Sequence, residues 1–169
     1  MKKLICALLA LILMLGAFAL CETQEAEEEA PIPAPDFVFE TLEGEEIHFS
    51  DLVGKPLLLN IWATWCPPCR EELPSFQKAY DKYAEEITFV FVSVDDGKEE
   101  VEEFLTENGY TFPVYLDSGS NCLITYGISS IPVTVLVDAE GNILAGQIGA
   151  LSEDLVGLCM AILLGDMEV

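Results

Sequence analysis

The stretch Leu57-Leu58-Leu59-Asn60-Ile61-Trp62-Ala63-Thr64-Trp65-Cys66-Pro67-Pro68-Cys69-Arg70 decides how this chain reads. Its first six residues form a dense apolar run, short enough for a strand buried on both faces. The pattern then changes. From Pro67 to about Tyr83, the residues Leu73, Phe76, Ala79, Tyr80 and Tyr83 fall on one side of a helix. Two cysteines separated by two residues therefore sit where a buried strand passes into a helix. Proline at the first helical position is favoured, because its missing N–H would have no partner there. Cys66 then stands at the helix N-terminus, where free N–H groups and the positive end of the dipole favour thiolate over thiol. Cys69, about one turn in, is near enough to close a disulfide and more buried. The expected chemistry is dithiol exchange, with Cys66 attacking and Cys69 resolving. Zinc is the other use of a CxxC pair, but a structural zinc site needs four ligands. There is no second CxxC, and His48 is the only histidine. No metal is expected, and a purely structural disulfide is the competing reading.

Outward from this centre the elements follow a clear order. On the N-terminal side, Phe37, Phe39, Ile47 and Phe49 flank the turn Glu43-Gly44 and suggest a small hairpin. On the other side, Ile87 to Val94 reads as a second buried strand. Val101, Phe104 and Leu105 mark a helix that Asn108-Gly109 ends. A short strand at Val114 to Leu116 and a short helix near Cys122 to Tyr126 come next. Val133 to Val137 and Ile143 to Ile148, joined by the turn Asp138 to Asn142, read as an antiparallel hairpin. Ser152 caps a final helix containing Leu155, Leu158, Ile162 and Leu163. Strands separated by helices pair in parallel through right-handed crossovers, and the late hairpin adds antiparallel strands. The expected fold class is α/β, a mixed central sheet with helices on both faces and an added N-terminal hairpin.

The N-terminus reads as an address. Lys2 and Lys3 precede an apolar run from Leu4 to Leu15, and Ala17 and Ala19 form an A-x-A pattern. Even extended to Leu20, the run barely reaches the roughly 20 residues that cross a bilayer. Residues 1–20 are expected to be a signal peptide cleaved after Ala19. The alternatives are an uncleaved membrane anchor or lipidation at Cys21, although Phe18-Ala19-Leu20 is a poor lipobox. Residues 21–35 are acidic and then proline-rich, and read as a solvated tether. Residues 36–169 form the single folded domain. The chain has 7 basic and 30 acidic residues, a formal net charge of −23. Such a surface repels the phosphates of nucleic acid, so nucleic-acid binding is not expected.

A second feature lies far from the first. Ile131-Pro132-Val133 stands directly before a β-branched strand, where a proline is tolerated because its absent N–H need not join the ladder. Taken with Ala34-Pro35-Asp36-Phe37, Leu52-Val53-Gly54-Lys55-Pro56, the run from Asn60 to Cys69 and that from Gly127 to Pro132, it makes the chain resemble a known family. The likeness, from about Ala34 to the C-terminus, is to the TlpA/ResA-like thiol–disulfide oxidoreductases of the thioredoxin superfamily, with a redoxin/AhpC-TSA-like domain. It implies a thioredoxin fold, a cis peptide bond before Pro132 facing the dithiol, and backbone groups at Ile131 offered to a partner's extended chain. Trp65, Pro67 and Pro68 are by the same likeness substrate-contacting. Some members carry a glutamate three residues after the second cysteine, which here is Glu72. Cys69 and Glu72 are i and i+3 neighbours, so Glu72 is expected to be the general base or the acid that senses substrate; a solvated surface glutamate is the alternative. Asn60 occupies the place of thioredoxin's aspartate and does not titrate.

The resemblance also implies an exported, extracytoplasmic enzyme that reduces protein disulfides and needs no cofactor. A membrane thiol carrier would feed it electrons. Apocytochrome c (hence cytochrome c maturation), oxidised methionine sulfoxide reductase or another exported protein would receive them. A disulfide oxidase or isomerase of the same fold, or a non-catalytic surface-tethered binding domain, are the alternatives. A peroxiredoxin is disfavoured, since Thr64 lies too close to Cys66 for a peroxidatic loop. Cys122 and Cys159, in apolar helical surroundings, read as buried structural thiols, with a second disulfide as the alternative.

Overall fold

The structure is a computed structural model, and it describes residues 30–95 and 97–167. The expected leader, and most of the acidic stretch behind it, lie outside the described residues. Eight strands form one sheet: β1 (Ile32–Pro33), β2 (Val38–Thr41), β3 (Glu46–His48), β4 (Leu57–Trp62), β5 (Thr88–Ser93), β6 (Val114–Leu116), β7 (Val133–Val137) and β8 (Asn142–Ile148). Their order across the sheet is β1-β8-β7-β4-β5-β6-β2-β3. Helices α1 (Pro67–Tyr83), α2 (Lys98–Asn108), α3 (Asn121–Thr125) and α4 (Glu153–Leu163) complete the domain.

The continuous apolar runs become the centre of the sheet. All six residues of β4 are buried, flanked by β5 in parallel and β7 in antiparallel pairing. Helices α1 and α2 are the crossovers from β4 to β5 and from β5 to β6. Two right-handed crossovers moving in one direction across a sheet cover the same face. Accordingly Asn60 meets Glu72 of α1, and Trp62 packs on Phe104 of α2 at 5.5 Å between ring centroids. The α1 stripe enters the core as its spacing predicts. Leu73 and Phe76 are fully buried and Phe76 lies edge-on to Phe91 of β5. Gly109 ends α2 in the left-handed conformation, φ 69°, which an L side chain adopts only with strain.

Two details depart from the sequence reading. Ile32 and Pro33, read as the end of a solvated tether, pair with Ile143 and Asn142 as an edge strand. An edge accepts Pro33 because its missing N–H is not needed there. In α4, capped by Ser152 as expected, Val156, Met160 and Leu163 point to the core, while Leu155 and Leu158 stay exposed. The helix is apolar on nearly every side, so periodicity could not choose its inner face.

Candidate active site

The end of β4 and the start of β7 meet at one edge of the sheet, because these neighbours run antiparallel and Ile61 pairs with Val133. That topology brings together residues about 65 positions apart. Cys66 is the N-cap of α1, and its Sγ accepts a hydrogen bond from the Cys69 N–H at 3.3 Å. Pro67 and Pro68 fill the first turn and are exposed. The two cysteines are joined as a disulfide with Cα atoms 5.3 Å apart. The pair is asymmetric: Cys66 retains 4% of its surface and Cys69 none.

Across from the disulfide, the Ile131–Pro132 peptide bond is cis, and the Ile131 carbonyl oxygen lies 3.9 Å from Cys66 Sγ. A groove of about 540 Å³ opens beside the sulfur, walled by Trp65, Pro67, Val94, Leu123, Ile128 and Ile131. Trp65 is 65% exposed, a large aromatic left standing at the mouth. Among the described residues no charged side chain lines this groove, although the chain as a whole is strongly acidic.

One turn further along α1 from Cys69 a carboxyl is buried. Glu72 retains 1% of its surface. Its Oε1 accepts from Asn60 Nδ2 at 2.9 Å and its Oε2 from the Leu151 N–H at 2.8 Å. Asn60 Nδ2 is shared with Thr134 Oγ1 at 3.1 Å, and Asn60 Oδ1, also buried, has no partner among the described residues. Burial disfavours the charged form, and the two hydrogen bonds only partly offset it. The Glu72 carboxyl is therefore pushed up to about 7. The alternative of a solvated glutamate is excluded by this burial.

The sequence reading missed a second buried carboxylate. Asp95, just beyond β5, accepts hydrogen bonds from the Thr64 N–H, the Thr64 hydroxyl and the Ser93 hydroxyl. The only available signal was an aspartate closing a buried strand; its partner lies 31 residues away. Cys122 and Cys159 are free thiols. Burial, then the adjacent Asp117, push the Cys122 thiol far up, and burial pushes that of Cys159 to about 11.

Comparison with known proteins agrees with this geometry. Residues 32–145 match the model of the AhpC/TSA family. The thiol-disulfide oxidoreductase ResA of Halalkalibacterium halodurans is 37% identical over 124 residues, 73% of this chain and 70% of that protein. Among solved structures, StoA from Bacillus subtilis superposes with a TM-score of 0.63 at 32% identity, over 78% of this chain and 99% of its own. A thioredoxin family thiol:disulfide interchange protein from Chlorobium tepidum TLS gives 0.68 at 30% identity, over 82% and 99%. On the strength of these matches and of the Cys66–Cys69 pair, the chain belongs to the AhpC/TSA family and, within it, is a ResA-type thiol–disulfide oxidoreductase of thioredoxin fold.

Proposed function

We propose that the enzyme works outside the cytoplasm as a reductant of protein disulfides, with Cys66 as nucleophile, Cys69 as resolving thiol and Glu72 as proton acceptor. The observation that carries this reading is the asymmetry of the pair. One sulfur lies at a helix N-terminus beside an open groove, and the other is fully buried, three residues before a buried carboxyl that titrates near 7.

In the reduced enzyme the Cys66 thiolate attacks one sulfur of a substrate disulfide. A mixed disulfide forms, and the other substrate sulfur leaves as a thiolate that takes a proton from water. Cys69 then loses its proton to Glu72 and attacks Cys66 Sγ. This closes the Cys66–Cys69 bond and releases the second substrate thiolate. The substrate gains two electrons, the enzyme loses two, and a donor dithiol resets it. Attack requires deprotonated Cys69, and a carboxyl near 7 is partly in its basic form at neutral pH, able to accept that proton. Trp65, Pro67 and Pro68 form the contact surface around the attacking sulfur. Ile131, held by Pro132, offers its backbone to the extended substrate chain.

The N-terminal sequence supports export, with residues 1–20 as signal peptide or anchor and residues 21–35 as a tether whose last residues join the sheet. The substrate is then an exported protein: apocytochrome c, methionine sulfoxide reductase or another with an accessible disulfide. A membrane thiol carrier is the donor. The deciding measurement is the equilibrium reduction potential of the Cys66–Cys69 pair, with Cys66→Ser as control. A value near the roughly −270 mV of reducing thioredoxins is expected; one near the roughly −120 mV of strong oxidants would make this an oxidase instead.

A further inference from the structure

Four residues, Ala63 to Cys66, link the end of β4 to the helix that begins at Pro67, and something must hold them in place. Ala63 is buried but offers only a methyl group. Trp65 points into solvent, and Cys66 must be free to react. Pro67 and Pro68 are exposed and have no N–H. Within the turn one backbone bond closes the loop, Cys66 N–H to Ala63 carbonyl at 3.2 Å. Thr64 is the residue of this segment that reaches across to another strand, and it does so twice. Its N–H donates to Asp95 Oδ2 at 2.9 Å and its hydroxyl to Asp95 Oδ1 at 2.6 Å.

Asp95 is itself pinned. It retains 4% of its surface, Ser93 Oγ donates to its Oδ2 at 2.5 Å, and its own N–H donates back to Ser93 Oγ at 3.2 Å. The neighbouring Val94 N–H continues the ladder to the Trp62 carbonyl at 3.0 Å. Among the described residues no cation pairs with Asp95. The Thr64 N–H can only donate, and the two hydroxyls can donate or accept. As placed, all three meet acceptor oxygens of one carboxyl group, the Thr64 N–H and Ser93 hydroxyl on Oδ2 and the Thr64 hydroxyl on Oδ1. Burying a carboxylate without a counter-charge is costly unless hydrogen bonds compensate it, and an aliphatic side chain would pack the end of β5 with no such cost. The arrangement makes sense as a clamp on Thr64.

We propose that Asp95 is a positioning residue of the redox centre, a fixed acceptor at the end of β5 that holds Thr64 and thereby aims Cys66 at the groove and at the helix N-terminus. The proposal rests on Cys66 being the attacking thiol. That reading is tested apart from it, since Cys66→Ser abolishes formation of the mixed disulfide with a model disulfide if it is right, and still lets Cys69 form one if it is wrong.

The test uses the reduced enzyme with three substitutions: Asp95→Ala, Thr64→Val and Thr64→Ser. Two quantities are followed: the rate of exchange with a model disulfide, and the pH midpoint of Cys66 alkylation by iodoacetamide, read by peptide mapping. Small misplacements of reacting groups cost rate steeply, so Asp95→Ala is expected to slow exchange about tenfold and Thr64→Val several-fold. Both should move the alkylation midpoint, since the thiolate depends on its placement at the helix N-terminus. Thr64→Ser keeps the hydroxyl and should restore both readouts. If Asp95→Ala does not fold, the Thr64 pair decides alone. A Thr64→Val enzyme with wild-type rate and midpoint overturns the proposal even if its stability falls, because that result would leave the clamp a purely structural contact.

Discussion

Replacing Glu72 by Gln separates the carboxyl's charge from its shape. Gln is nearly isosteric, and the site accommodates it. The Leu151 N–H still finds an oxygen, and Asn60 can turn its unpartnered Oδ1 toward the new NH₂ group. In the oxidised wild type the carboxyl titrates near 7 when folded, against an ordinary value of 4.5. Between these pH values the folded state holds a proton that the unfolded chain has released. The folded state binds more protons, so stability falls as pH rises through this window. The gap of 2.5 in pKa corresponds to about 3 kcal/mol lost between pH 4 and pH 8. Every other carboxylate contributes its own pH dependence, but those contributions are common to both proteins and cancel in the comparison. Urea unfolding of the oxidised wild type and of Glu72→Gln at pH 4, 5, 6, 7 and 8 should show the variant gaining by about 3 kcal/mol relative to wild type across the range. In the reduced enzyme the same substitution should slow resolution of the mixed disulfide and remove the inflection near neutrality from its pH profile. A stability difference that does not vary with pH would refute the buried-acid reasoning. Unchanged reduction kinetics and pH profile would remove Glu72 from the mechanism.

Other outcomes follow from features away from that carboxyl. Trp65→Ala should leave stability within about 0.5 kcal/mol, since the ring is exposed, yet weaken exchange with protein disulfides more than with a small disulfide; equal effects on both would deny it a role in contacting protein. Ser152→Ala removes the side-chain acceptor of the Leu155 N–H and should cost about 1 kcal/mol in urea unfolding. Iodoacetamide at pH 8, applied to the reduced native enzyme and mapped by mass spectrometry, should modify Cys66 well before Cys122 or Cys159, whose thiols are both pushed up by burial.

How much of this was legible in the sequence varies with the range of the interaction. The strand-to-helix switch at Trp62 to Pro67 was legible because its signals are local: an apolar run, then a helical stripe, with prolines at the boundary. The helix end at Gly109 and the cap at Ser152 are local in the same sense. Glu72 was half legible. Its i+3 distance from Cys69 follows from helical geometry, but its burial depends on the Leu151 N–H, 79 residues on. No pattern in the α1 segment announces that partner. The Thr64–Asp95 contact was invisible for the same reason, being made between the ends of two neighbouring strands. Ile32 and Pro33 were misread because proline and charge nearby argue for solvent, while two residues of pairing at a sheet edge leave almost no periodicity. The inner face of α4 was unreadable because its outer face is also apolar.

The sheet register has a consequence for how this site can vary. Five residue pairs, from Leu57 with Val137 to Ile61 with Val133, lock β4 to β7. A slip of one residue between them would carry Ile131 about 3.3 Å along the strand away from Cys66 and exchange the side chains that these doubly buried strands present to either side of the sheet. The gauge that spaces sulfur from carbonyl is thus the hydrophobic sheet beneath them, which tolerates no intermediate setting. Residues at the mouth, such as Trp65, Leu123 and Ile128, belong to no part of that gauge. They are free to be rewritten for a different partner while the distance across the reacting centre stays as it is.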